Sequence, residues 1–421
     1  EEAPIWFLRV RGAVRRGARL IVANARATRL DRSAAHQLRY RYGAAPHLLA
    51  ALLRALLLPE PQPEEAVSVV GNPSPPGLET LQARLAGQAG EALARQAGVA
   101  PDEVQAAAQA VAEAERLVIV FGSEGLAPEA VEALVQMAAN LLVVTGHAGE
   151  PDSGLLPLWP HNNTQGAQDL GLCPIRLPGY RFAEEAGLNF AGMLAAAQGG
   201  DLKAMLIAAA DPVGDDPGTA AALEKLDFLV VQELFLTETA RRADVVLPAL
   251  SFAEREGTYT SGDRRVQRFY RALPPLGEGR ADWEILTRLG RRLGLDWPYR
   301  TAEEVFQALV SAVPIYAGLS YERLAETEPQ WPPVGREDLY FSGTAYQNEG
   351  GLGRRWPSLV EQDPSLARLA WVPLPVPPDQ APETVPVRRL MRAGTLINRS
   401  TVLKPRLIDL RERREEAVSP R

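Results

Sequence analysis

Two kinds of apolar pattern alternate along this chain. Short apolar, often β-branched runs recur at Leu20–Ala23, Leu117–Phe121, Leu141–Thr145, Met205–Ala208, Phe228–Val231 and Val245–Leu247. Each has the length of a strand buried on both faces, with helix-spaced apolar positions on at least one side. One helical stretch is Pro101–Glu115, where Val104, Ala107, Ala108 and Val111 share a face. Pro101 suits a helix start, where a missing N–H leaves no bond unmade. The alternation predicts open, mostly parallel α/β sheets with helices on both faces.

The pattern is interrupted in several places. Ile5–Arg16 reads as a helix feeding the strand at Leu20, with no strand before it. A crossover helix needs a strand on each side, so the chain is expected to be a piece whose preceding strand lies upstream. Pro59–Pro76, rich in proline and glutamate, reads as an irregular connection. Gly146–Gly179 reads as a long loop containing Asn162-Asn-Thr-Gln-Gly-Ala-Gln-Asp-Leu-Gly171, and loops that long are functional or lie at interfaces. Beyond Leu295 the alternation fades into segments around Trp331, Trp356 and the spacer Pro373–Pro386, then Val387–Leu410 and a charged tail.

Composition narrows the function classes. With 421 residues there is material for two or three domains. A net charge of −7 argues against a general nucleic-acid binder. Lysine occurs only at Lys203, Lys225 and Lys404 among 45 lysines and arginines, a usage that suits bidentate ion pairs at contacts and equally follows from a GC-rich genome. Cys173 is alone, which excludes an internal disulfide and a cluster held by four cysteines of this sequence. His36, His47, His147, His161 and Cys173 lack zinc-ligand spacing. The run Ala133–Gly149 carries Gln136, Asn140 and His147 and reads as a helix end with a buried strand, so no membrane insertion is expected.

The most specific stretch is Thr237–Gln267, which contains Thr237-Glu-Thr-Ala240, Ala243-Asp-Val-Val-Leu-Pro248, Glu256-Gly-Thr258 and Ser261-Gly-Asp-Arg-Arg-Val-Gln267. It resembles the late signature of molybdopterin oxidoreductases. Gly17–Thr28 resembles that family's "GAKLIVIDPRRT" strand and turn, Asn162–Gly171 its "NxQGAxDMG" loop, and Ala209-Ala-Asp-Pro212 its "GxNP" turn. Asp282-Trp-Glu-Ile285 resembles its "DWEI" helix, and Tyr321–Leu324 with Gln330-Trp-Pro332 a later element. Within the superfamily, Phe269-Tyr-Arg-Ala-Leu273 and Pro275–Asp282, leading into Trp283, resemble the large iron–sulfur subunit of bacterial NADH–quinone oxidoreductase, complex I.

The resemblance implies two α/β subdomains of the formate dehydrogenase-like type: residues 1–60 with 201–300, and an inserted 61–200, followed by an irregular extension over 301–421. It implies a non-catalytic, architectural portion of a peripheral-arm subunit, in an assembly that passes electrons from NADH through iron–sulfur clusters to quinone. The 4Fe–4S and 2Fe–2S clusters would lie upstream, with no cofactor or metal in this chain and no molybdenum. The partners would be other hydrophilic complex I subunits on the cytoplasmic side of the bacterial inner membrane. Trp331, Trp356 and Trp371 are candidate subunit contacts. The alternatives are a fragment of a molybdopterin-dependent enzyme of the formate dehydrogenase or nitrate reductase type, and a free-standing nucleotide-binding protein.

In active relatives the neighbourhood of Glu254–Gln267 binds the dinucleotide part of the pterin cofactor. By resemblance, Gly257, Thr258, Ser261 and Arg265 are vestigial pterin-site candidates. Glycine permits close approach, hydroxyls bond ring edges and arginine pairs with pyrophosphate. Ser261 stands where the family has Asn, and Arg264 where it has Gly. Gly122-Ser-Glu-Gly125 joins a strand to a helix but lacks dinucleotide-binding spacing, and Glu124 would repel phosphate. Glu254 and Glu256 have no identifiable acid–base partner, and Ser251 no adjacent base. Asp282 is expected to cap the helix bearing Trp283, Leu286, Leu289 and Leu293.

Overall fold

A computed structural model describes residues 4–59, 74–122, 126, 128–159, 161–325, 354–355 and 357–377. The chain divides into two compact units, one from Glu1–Pro160 with Pro357–Glu383, the other centred on His161–Trp356.

The first unit opens with α1 (Pro4–Arg15), β1 (Ile21–Ala23) and β2 (His36–Leu38), the strands pairing in parallel with Val22 opposite Gln37. The helix α2 (Ala45–Leu57) follows, apolar nearly all round, which makes it the centre of the core. Around it pack α3 (Leu78–Ala86), α4 (Gly90–Ala97), α5 (Pro101–Ala112) and, after β3 (Val118–Phe121), α6 (Pro128–Val144). In α5 the expected face of Val104, Ala107, Ala108 and Val111 is buried. Strand β4 (Gly154–Pro157) lies parallel to β3.

Two expectations fail here for physical reasons. Leu141–Thr145 is not a strand but the end of α6 and the residue after it. The uncharged sequence from Ala133 carries no Gly or Pro to stop the helix, and Leu141, Leu142 and Val144 are buried from it. The region Gly146–Gly179 is not one long loop, because it holds β4 and a short helix. Ser123–Gly125, Trp331, Trp356, Gln330–Pro332, Val387–Leu410 and most of Pro59–Pro76 lie outside the described residues.

Residues 357–377 belong to this first unit. Asn140, fully buried on α6, donates from Nδ2 to the Ala370 carbonyl at 2.7 Å and accepts from the Ala370 N–H at 3.2 Å. The amide thus serves one peptide unit as a strand neighbour would. Leu369 N–H reaches the Pro76 carbonyl at 2.8 Å, and Trp371 packs against the core of this unit.

The second unit contains α7 (Thr164–Asp169), α8 (Phe190–Gly199), β5 (Ala204–Ala208), α9 (Pro212–Asp215), α10 (Ala220–Leu223), β6 (Phe228–Glu233) and β7 (Val245–Pro248). Strands β5, β6 and β7 form a parallel sheet in that order, with Leu206 opposite Val230 and Val231 opposite Val246. One face buries Ile207, Leu229 and Val231 with Val213 and Leu223, whereas Leu206 and Phe228 are exposed. An antiparallel hairpin follows, β8 (Gly257–Thr260) and β9 (Arg265–Phe269), with Thr260 opposite Val266. Then come α11 (Asp282–Arg292), α12 (Ala302–Ala312) and α13 (Tyr321–Ala325), and β10 (Arg354–Arg355) pairs with β9. Val266 is buried among Phe306, Ile315, Leu319, Tyr321 and Leu324, so the hairpin rests on the helices that follow it.

Helix α11 departs from expectation. Its cap is Ala281, with no side-chain hydrogen bond, and Asp282 occupies the first helical turn. Ile285, Thr287 and Gly290 are buried, while Leu286, Leu289 and Leu293 are exposed. Asp282 is not the cap because its carboxylate is engaged by Gln232 and Arg255.

Candidate functional site

In a parallel α/β sheet, ligands meet the loops leaving the carboxyl ends of the strands. The sheet of the second unit gathers its polar residues there. Beyond β5 the chain turns through Ala209, whose φ of 54° is left-handed, to Asp211. The Asp211 Oδ1 accepts from the Thr239 N–H at 2.9 Å, the Thr239 hydroxyl at 2.8 Å and the Gly214 N–H at 3.2 Å. This carboxylate therefore caps α9 and ties it to the loop after β6.

At the end of β6, Gln232 is 1% exposed. Its Nε2 donates to Asp282 Oδ1 at 2.6 Å, while its Oε1 is buried with no hydrogen-bond partner. The other Asp282 oxygen takes the Arg255 guanidinium. Arg255 lies just ahead of β8, so Asp282 joins the sheet's carboxyl edge to the root of the hairpin.

Gly257 and Thr258 lie in β8, Ser261 in the turn, and Arg265 opens β9. Gly257 lies beside Phe269, whose ring carbons would sit 3.2 Å from an added Cβ, and Phe269 stacks on Tyr259 with centroids 4.5 Å apart. Thr258, half-buried, lies opposite Arg268 in the ladder. The Ser261 hydroxyl bonds the Asp263 carboxylate and reaches the Arg265 carbonyl at 3.3 Å. Arg265 Nε lies 4.0 Å from Asp263. Arg264, in the turn between them, has a φ of 65°. Glycine takes this conformation without strain, and a residue with a Cβ pays about 1–2 kcal/mol for it.

The remaining charged residues have structural partners. Glu254 accepts from the Ser251 N–H at 2.9 Å and the Leu276 N–H at 2.8 Å. Hydrogen bonds from Ser251, side chain first and then backbone, with that of Leu276, hold its carboxyl below the usual glutamate range. Glu256 pairs with Arg268 at 3.3 Å, and Arg268 is a half-buried residue set against Tyr270 and Tyr321. Burial first, then the charge of Glu256, pushes the Tyr321 phenol up to about 12.

Sequence reasoning missed a cluster behind the hairpin. Asp169, 2% exposed at the end of α7, accepts at Oδ2 from the Tyr316 hydroxyl at 2.6 Å. Its Oδ1 accepts from the Tyr180 hydroxyl and from Gln165 Nε2, the latter at 2.9 Å. Tyr316 also meets Thr260 Oγ1 at 3.0 Å. Because the single phenolic proton serves Asp169, the Thr260 hydroxyl donates to Tyr316. Asn163 Oδ1 accepts the Thr260 N–H at 2.8 Å. Burial, then the neighbouring Asp169, pushes both phenols well above the usual tyrosine range. The one available signal was the polar loop Asn162–Gly171, while Tyr316 carried none.

The family model for molybdopterin oxidoreductases matches residues 1–292. The chain belongs to the molybdopterin oxidoreductase family.

Among its relatives, the F420-dependent formate dehydrogenase 1 subunit alpha of Methanococcus maripaludis is 33% identical over 359 residues, covering 80% of this chain and 52% of that protein. A putative formate dehydrogenase of Staphylococcus haemolyticus is 36% identical over 283 residues, 60% of this chain and 28% of that protein. A probable oxidoreductase of Bacillus subtilis is 40% identical over 221 residues, 46% of this chain and 22% of that protein. The chain thus spans about half or less of the length of these relatives. Acetylene hydratase from Pelobacter acetylenicus shares the fold, with a TM-score of 0.60 at 19% identity, covering 87% of this chain and 55% of that one.

Family membership corrects one expectation. The absence of molybdenum, inferred from the likeness to complex I, does not hold against a family named for the molybdenum-binding pterin and relatives that are formate dehydrogenases. The residues present fit such a group: the sheet edge offers a buried amide oxygen without a partner at Gln232. Ala209 and Arg264, which stand where the family motifs have glycine, both have left-handed backbone.

Proposed function

We propose that this chain is part of a molybdopterin-dependent oxidoreductase of the formate dehydrogenase kind, to which it contributes the α/β framework that grips the nucleotide end of the cofactor. The observation that carries this reading is the unpartnered Gln232 Oε1, buried at the carboxyl edge of the β5–β6–β7 sheet. A buried amide oxygen is costly to leave unpaired, and an N–H of a bound base relieves that cost. The coverage of 80% of this chain by a formate dehydrogenase subunit supports the same reading.

When bound, the group supplies a two-electron redox centre. The residues here bind and orient. Gln232 would accept a hydrogen bond from the base, the Ala209–Asp211 turn would approach it by backbone, and Arg264 and Arg265 would meet the phosphates. The reacting atoms are assigned to the rest of the protein, so this chain's part is non-catalytic. No helix among the described residues is long and apolar enough to cross a membrane.

The test is metal analysis of the full-length protein, produced in a host that makes the cofactor, together with formate-dependent reduction of a viologen dye. About one molybdenum or tungsten per chain with dye reduction is the expected result. Pure protein lacking both metals and co-purifying with NADH-oxidising membrane complexes overturns it in favour of the complex I subunit.

A further inference from the structure

The loop Asn162–Gly171 stands out in the sequence, yet the proposal above gives it no task. Its side chains converge on one strand end. Asn163 holds the Thr260 N–H, Asp169 holds Tyr316, and Tyr316 receives the Thr260 hydroxyl. Thr260 is the last residue of β8, and the turn Ser261–Arg264 begins immediately after it. Within the loop, a Cβ on Gly166 would lie 2.5 Å from Asn163 Oδ1 and 3.2 Å from Thr260 Oγ1, so the glycine makes room for this grip.

We infer that Asp169 is a positioning residue for the β8–β9 turn, acting through Tyr316 and Thr260. The loop Asn162–Gly171 is the clamp that holds the turn in its left-handed form. A polar cluster that merely filled space would be replaceable by apolar side chains at little cost. Here a buried carboxylate is satisfied by two phenols and an amide, and among the described residues no cation is ion-paired with it. Such an arrangement specifies geometry.

Backbone conformation points the same way. Tyr180 and Arg264 both have left-handed φ, 64° and 65°, without being glycine. The charge of Arg264 acts on the Tyr180 phenol, which itself bonds Asp169. Strained residues persist where their surroundings over-determine them, and Tyr180 is held by its bond to Asp169. The functional consequence, arginines presented to the anionic end of a bound cofactor, rests on the reading proposed above. The clamp itself does not.

The experiment uses the full-length protein with Asp169→Asn, Tyr316→Phe, Thr260→Val and Thr260→Ser. Amide hydrogen exchange is followed over peptides spanning residues 257–269, first in cofactor-free protein. Tyr316→Phe and Thr260→Val are expected to speed exchange in the turn by about fivefold to tenfold, the effect of one hydrogen bond of ordinary strength. The unfolding midpoint falls by no more than that one bond accounts for, exchange elsewhere in the unit rises less than in the turn, and Thr260→Ser restores wild-type exchange. In protein made with cofactor, the two variants lower metal occupancy and Thr260→Ser recovers it.

A uniform rise in exchange across the unit, an unchanged turn, or a Thr260→Ser variant no better than Thr260→Val overturns the clamp. If Asp169→Asn fails to fold, the Tyr316 and Thr260 variants decide the matter. Wild-type protein without molybdenum or tungsten sinks the cofactor reading, while the cofactor-free exchange still decides the clamp.

Discussion

Gln232 and Asp282, 50 positions apart, are joined by a hydrogen bond of 2.6 Å from amide nitrogen to carboxylate oxygen. The same carboxylate holds Arg255 through its other oxygen. One side chain thereby couples the end of a parallel strand, the start of a helix and the approach to the hairpin. Asp282→Ala would leave the buried Gln232 amide with neither end bonded and would strip Arg255 of its partner. We expect a loss of about 2 kcal/mol, set mainly by the unsatisfied amide. Asp282→Asn keeps an acceptor for Gln232 and should cost about half as much. Urea unfolding of the two variants against wild type checks both the size and the order.

Ala209 tests whether the turn after β5 is strained. Its φ of 54° costs a side-chain-bearing residue about 1–2 kcal/mol, whereas glycine adopts it freely but loses about 0.5–1 kcal/mol through a more flexible unfolded chain. Ala209→Gly should therefore stabilise by about 0.5–1 kcal/mol, seen as a raised midpoint in thermal or denaturant unfolding. A destabilised variant would mean that the methyl group packs productively and outweighs the backbone.

Glu254 supplies a pH dependence. Its carboxylate accepts two backbone N–H groups, and its folded pKa lies below the ordinary value of 4.5. A group depressed on folding stabilises at pH above its unfolded value and loses that contribution as pH falls through the folded one. Glu254→Gln, which keeps one acceptor oxygen, should cost about 1 kcal/mol at neutral pH. The gap to wild type should close on acidification below about pH 4.5 and vanish beneath the folded pKa. A gap constant from pH 7 to pH 3 would show that shape, not charge, sets the cost.

Much of the framework was legible because core-facing strand residues such as Ile207, Leu229 and Val231 are apolar, although Val118, Leu206, Phe228 and Val245, expected inside, are exposed. The runs at Val118, Met205, Phe228 and Val245 became strands within a residue or two of their expected ends, and α1 and α5 followed their helical spacing. Leu141–Thr145 was misread because a short apolar run has no period of its own and α6 enters it without a break. Strand β2, His36-Gln-Leu38, has no apolar run to announce it and exists through its pairing with β1. In the site, the hairpin and the loop at Asn162 were visible as motifs. Their connection was not, because it runs through Tyr316, 147 residues from Asp169 and in no recognisable pattern. The role of Asp282 was hidden for the same reason: capping is local, whereas its actual partners, Arg255 and Gln232, are distant in sequence.

The glycine that ends the clamp loop separates two costs that sequence alone merges. Gly171 has a φ of 70°, and a Cβ there would lie 2.4 Å from the Leu177 carbonyl carbon, which is backbone and cannot swing aside. Gly200, in the same unit, has a φ of 82° with nothing within 4 Å of an added Cβ. Gly200→Ala should therefore register the left-handed penalty alone, about 1 kcal/mol. Gly171→Ala carries that penalty plus a backbone displacement, for which overpacking suggests a further 1–3 kcal/mol. The displacement should also loosen the Asp169 grip, so exchange in the Ser261–Arg264 turn is expected to rise in Gly171→Ala and to stay at the wild-type rate in Gly200→Ala. Equal losses in the two variants, with the turn silent in both, would show that the chain between Gly171 and Leu177 relaxes freely and does not transmit to the hairpin.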